Sequence, residues 1–143
     1  QLIKRWNEVV TQEDTVYHLG DFGFAKDNKL NSFAKQLNGK QKFTILGNHD
    51  KQVPEGFSEI QNCHKLNDSG TTVILCYYGL RVWEHSHHGS ICLYGHSHGS
   101  LPGNSQSLDV GVDCWNFYPV TIEQIKRRLN TLPPFGKPDH HDA

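Results

Sequence analysis

The chain has 143 residues, 36% hydrophobic and 20% charged, with a formal net charge of -1. That balance describes one folded domain with a sizeable core and excludes a disordered chain. Near-neutral charge gives no general pull towards nucleic acid or anionic membrane, and no apolar run nears the ~20 residues that cross a bilayer.

In chain order, Leu2, Ile3, Trp6, Val9 and Val10 recur at helical spacing, which predicts an amphipathic opening helix. Thr15 to Leu19 reads as a short buried strand ending at Gly20-Asp21, and Leu30, Phe33, Ala34 and Leu37 mark a second helix stopped by Asn38-Gly39. Lys42 to Leu46 is the next strand, running into Gly47-Asn48-His49-Asp50. Residues 51–69 carry little pattern and read as loop. Thr71 to Tyr77, Ile91 to Tyr94 and Ser107 to Val112 read as further strands, with a glycine- and histidine-rich stretch from Tyr78 to Ser90. Thr121 to Gln124 has the spacing of a capping box, opening a helix through Ile122, Ile125 and Leu129. From Pro133 the prolines, glycine and charges read as a loose tail over 133–143. Strand, helix and strand followed by closely spaced strands make an α/β domain over 1–132, with parallel and antiparallel parts.

The cysteines, Cys63, Cys76, Cys92 and Cys114, form no CxxC pair. That argues against a thiolate zinc site and against a disulfide framework, so the expected home is a reducing cytoplasm. There is no methionine and the first residue is Gln1, so the chain reads as a piece of something longer.

Three polar clusters follow strands: Gly20-Asp21, Gly47-Asn48-His49-Asp50 and Gly95-His96-Ser97-His98. Strand ends in α/β sheets converge on a crevice, and a glycine before each cluster allows a sharp turn and close approach. In an extended chain, His96 and His98 point to the same side and can reach one ligand or two adjacent ions. A carboxylate, an amide oxygen and imidazoles suit divalent manganese, iron or zinc.

The succession GD, GNHD and GHSH resembles the calcineurin-like metallophosphoesterase superfamily, and VYHLGDFG, SHHGS and LDVGVD resemble its small bacterial and phage phosphoesterase branch. The likeness runs from about Gln1 to about Leu132. It implies an α/β/β/α sandwich of mixed sheets and metal-dependent hydrolysis of a small phosphomonoester or phosphodiester at a pair of divalent ions. By position, Asp21 would bridge two ions, Asn48 and His96 would serve the second, and His98 the first. His49 would be the general acid for the leaving alkoxide, oriented and held protonated by Asp50.

Two departures from that pattern stand out. The Asp-x-His element that would begin the motif set, on an N-terminal strand, is not in the chain. Asp139-His140-His141 in the tail follows prolines and no strand, which makes it a poor substitute. Tyr77 and Gly79, in LCYYGL, stand where the branch has a histidine ligand and often a proline. A neutral phenol, with a reference pKa of about 10, is a poor ligand. The alternative reading is therefore a catalytically impaired protein of the same fold, with a binding or regulatory role. A lost strand would also leave a sheet edge for an oligomer or partner to cover.

Other polar residues have plainer expectations. His18 reads as a hydrogen-bonded core histidine and His64 as a solvated loop residue. His85, His87 and His88 divide between a loop role and a place near the site. Asp109 and Asp113 read as turn and capping residues, and Trp6, Trp83 and Trp115 as packing.

Overall fold

The structure, a computed structural model, describes residues 2–20, 27–48, 50, 52–96, 100–111, 114–115 and 118–136. It is a mixed α/β fold with two sheets. The first carries β1 (Thr15–His18), β2 (Gln41–Thr44) and β3 (Ser58–Glu59), all parallel, with β1 at one edge. Helix α1 (Leu2–Val9) precedes β1, and α2 (Asp27–Lys35) crosses from β1 to β2. The second sheet has the order β4 (His64–Asp68), β5 (Thr71–Leu75), β6 (Ile91–Tyr94) and β7 (Ser107–Asp109). Its first pair is antiparallel and the other two are parallel.

In α1 the apolar stripe is narrower than its spacing suggested. Trp6 and Val10 are buried, whereas Leu2 and Val9 are exposed. Trp6 packs edge-on to Phe57 and donates through Nε1 to the Asn38 carbonyl at 2.8 Å. Asn38 in turn donates through Nδ2 to the Val10 carbonyl and accepts from Gln12 Nε2 on its own amide oxygen. These bonds fix the chain leaving α2 against the end of α1, over a core of Trp6, Val10, Ala34, Leu37 and Phe57.

Two strands, β3 and β4, lie within the stretch expected to be loop. β4 is half-exposed, with polar His64, Lys65, Asn67 and Asp68 around Leu66, so it shows no apolar run. It is held by its register with β5 and by a two-residue turn at Ser69-Gly70. Both turn residues have positive φ, 49° and 89°, as the tight turns matching strand twist require. His64 is accordingly a strand residue opposite Leu75, half-buried and stacked on Tyr17, which corrects its reading as a solvated loop residue.

β5 is apolar on both faces because both are covered. Val73, Leu75 and Tyr77 join Leu93 and Leu108 in a cluster with Leu19 and Ile45 from the first sheet and Ile125 and Leu129 from α3 (Ile122–Leu129). Ile74, Cys76 and Cys92 face the other way, towards Trp83, Leu80 and Phe135. Phe135 therefore ties the start of the expected tail to the body, and its backbone N–H donates to Ser105 Oγ. Residues 137–143 lie outside the described set. The predicted capping box is present: Thr121 Oγ1 accepts from Gln124 N, and Gln124 Oε1 accepts from Thr121 N. Among the described residues, no helix is long and apolar enough to cross a membrane.

Candidate functional site

Four strand ends meet at Tyr77. Its ring lies against Gly20, just past β1: a Cβ added to Gly20 would fall 2.3 Å from Tyr77 Cδ1 and 3.1 Å from Gly47 Cα. Gly20 also has φ +97°, a conformation that suits glycine. Gly95, after β6, donates its N–H to the Tyr77 carbonyl, and a Cβ there would come 3.0 Å from the Leu19 carbonyl oxygen. The bare glycines thus let the strand ends that lead into the three polar clusters approach one another.

At the centre stands the Tyr77 hydroxyl. It donates to Asn48 Oδ1, and it lies 2.7 Å from His96 Nδ1. An amide oxygen only accepts, so the phenol proton goes to Asn48 and the imidazole Nδ1–H donates to the phenol oxygen. In a neutral His96 the lone pair is then on Nε2. His96 has φ 43°, uncommon outside glycine, and its ring meets both Tyr77 and Tyr78 edge to face at 4.9 and 4.6 Å between centroids. Tyr77 is 2% exposed, whereas Asn48 is open to solvent and His96 half-buried. The tyrosine thus forms the floor of the site, with the other two above it.

Asp50 shapes the turn that presents Asn48. Its Oδ2 accepts from Gly47 N at 2.8 Å, and its own N–H donates to the Gly47 carbonyl at 3.1 Å. Of the expected site residues, Asn48 and His96 are thus brought to one atom, with Asp50 closing the turn that carries Asn48. Asp21, His49 and His98 lie outside the described residues. Among the described residues, no group of three or more His, Cys, Asp or Glu side chains is placed to hold a metal ion.

The remaining polar residues sort themselves by position. His18 Nδ1 lies 3.4 Å from the buried Thr44 Oγ1, a hydrogen-bonded place within the first sheet. Asp109, 4% exposed, accepts from Gly111 N at 2.8 Å and works as a turn former; Asp113 lies outside the described residues. His85 and His88 line a groove of about 410 Å³ with Thr71, Thr72 and Ser90. That groove is at the amino end of β5, five residues or roughly 16 Å of extended chain from Tyr77. These two histidines therefore belong to the loop before β6 and not to the Tyr77 site. Trp83 holds that loop, donating through Nε1 to Ser90 Oγ at 3.0 Å.

The fold defines a mixed α/β protein with a polar site at converging strand ends. Over 134 residues the chain is 32% identical to the uncharacterized protein MJ1445 of Methanocaldococcus jannaschii, covering 90% of this chain and 73% of that one. The chain belongs to the family of MJ1445. A crystal structure of the protein of unknown function AQ665 from Aquifex aeolicus shares the fold, with a TM-score of 0.69 and 21% identity over 89% of this chain and 82% of that one. No family model matches the chain.

Proposed function

We propose that the chain is a metal-dependent phosphoesterase of the calcineurin-like kind, hydrolysing a small phosphomonoester or phosphodiester at a dinuclear site. The observation that carries this reading is the convergence of Asn48 Oδ1 and His96 Nδ1 on one atom, from two glycine-led strand ends. An amide oxygen and an imidazole, once its Nδ1 proton has moved to Nε2, fit the donor needs of a divalent manganese, iron or zinc ion. Two sheets sharing one core, with α1 and α2 gathered around a separate cluster, support the α/β/β/α sandwich that goes with it.

In this reading Asp21, Asn48, His96 and His98 would hold the ions, with Asp21 serving both, Asn48 and His96 the second and His98 the first. Bound metal supplies positive charge against the phosphoryl oxygens and acidifies water. His49 gives a proton to the leaving alkoxide, and Asp50 holds the His49 loop in its turn. Tyr77 holds Asn48 and His96 at fixed separation, and its phenol must lose its proton or swing aside for a cation to take its place.

That last requirement favours a second reading, a binding or regulatory protein of the same fold with weakened metal chemistry. The two separate in one assay: hydrolysis of an aryl phosphate and an aryl phosphodiester, with and without manganese. The phosphoesterase reading expects manganese-dependent turnover, lost in Asp21→Asn and reduced about 10²–10⁴-fold in His49→Ala. No turnover in the parent, with turnover appearing in Tyr77→His, selects the second reading. No turnover in either variant or parent removes the enzyme reading for this chain, which lacks the Asp-x-His element.

A further inference from the structure

We propose that Cys63 and Cys76 form a redox-active dithiol that closes to a disulfide by exchange with a low-molecular-weight disulfide, Cys63 attacking and Cys76 resolving. The two sulfurs lie 3.1 Å apart. All four cysteines are free thiols, with Cys63 exposed and Cys76 fully buried.

Their pairing follows from the sheet. His64 stands opposite Leu75 in the antiparallel β4–β5 pair, so Cys63 and Cys76 are the next pair along that register. A disulfide spans Cα atoms roughly 4.4–6.8 Å apart, and sulfurs already 3.1 Å apart at the end of this strand pair are within its reach. Closing the bond to about 2.05 Å asks the sulfurs to move by roughly 1 Å. Asn62 fixes the approach: its Oδ1 accepts from Cys63 N at 3.1 Å and from Tyr77 N at 2.8 Å. That clamp holds Cys63 at φ 65° across from the residue before Tyr77.

The chemistry balances in two displacements. The Cys63 thiolate attacks one sulfur of the external disulfide, breaking its S–S bond and releasing one thiolate. The Cys76 thiolate then attacks Cys63 Sγ, forming the protein disulfide and releasing the second thiolate. Two protein thiols are oxidised, one external disulfide is reduced to two thiols, and the protein's two protons pass to the released thiolates. Burial and the neighbouring Cys76 push the Cys63 thiol up to about 11, and a hydrogen bond with Cys92 together with burial pushes the Cys76 thiol up further, so both displacements are slow at neutral pH and need alkaline conditions.

The test treats the full chain with oxidised glutathione at alkaline pH, then unfolds it, alkylates it and maps its peptides. The expected result is a mass lower by two hydrogens and a single cross-link joining Cys63 to Cys76, formed equally in Cys92→Ala. In Cys76→Ala the glutathione adduct on Cys63 should persist, roughly tenfold or more longer than in the parent, because the resolving thiol is gone. Should Cys76→Ala fail to fold, the parent and Cys92→Ala maps decide the matter by themselves. Four alkylated thiols, an unresolved adduct in the parent, or a cross-link through Cys92 or Cys114 would overturn the proposal.

Discussion

Replacing Gly20 by alanine drives a methyl group into the Tyr77 ring. The added Cβ would lie 2.3 Å from Cδ1 and 2.8 Å from Cε1, on a backbone at φ +97° that disfavours any side chain. The backbone contributes about 1–2 kcal/mol of strain. Forcing a buried ring aside in a packed core adds about 1–3 kcal/mol. Together the expected loss is about 2–5 kcal/mol, a large share of the roughly 5–15 kcal/mol that holds a domain together. Urea unfolding followed by tryptophan fluorescence measures it, with the midpoint falling by roughly 1–3 M. A double-mutant cycle isolates the ring. Valine at position 77 lacks Cδ1 and Cε1, so Gly20→Ala in a Tyr77→Val background should cost only the backbone part, about 1–2 kcal/mol. Equal losses in the two backgrounds would show that the Tyr77 ring does not rest on Gly20, and the convergence of strand ends would fall with it.

Two further predictions concern the frame around the site. Thr121→Ala removes the cap oxygen from Gln124 N and should lower stability by about 1 kcal/mol in the same urea assay, with Thr121→Ser nearly neutral. Burial and then the Asp109 charge raise the Tyr94 hydroxyl from 10.0 to about 12. The folded state therefore holds that proton more tightly than the unfolded one. This contribution is full below about pH 10 and is lost as pH rises towards 12, and Tyr94→Phe should flatten that part of a stability–pH profile.

Much of the frame was legible because its residues repeat at the spacing their structure demands. The capping box at Thr121 and the apolar run Ile91–Tyr94 appear where their patterns place them. β4 was hidden because a half-exposed edge strand has no apolar run, although Asp68-Ser69-Gly70-Thr71 carried the signal of a tight hairpin turn. At the site, the sequence put a tyrosine at a strand end where the resemblance calls for histidine. It could not show that a bare Gly20 leaves room for the ring, or that the hydroxyl would reach Asn48 and His96 together. Those contacts join residues 20, 48, 77 and 96, and no local periodicity links them. The reach of Cys63 to Cys76 was equally hidden, since it depends on the register of a hairpin that the pattern did not reveal.

The most direct test of the proposed metal position is a manganese titration by calorimetry, comparing the parent chain with Tyr77→His. An imidazole there replaces a phenol that is neutral at working pH and adds a nitrogen donor beside Asn48 and His96. The expected result is tighter manganese binding by roughly tenfold or more, abolished when His96→Ala is added to the variant. Equal affinity in parent and Tyr77→His would contradict the claim that the point shared by Asn48, Tyr77 and His96 is a metal position.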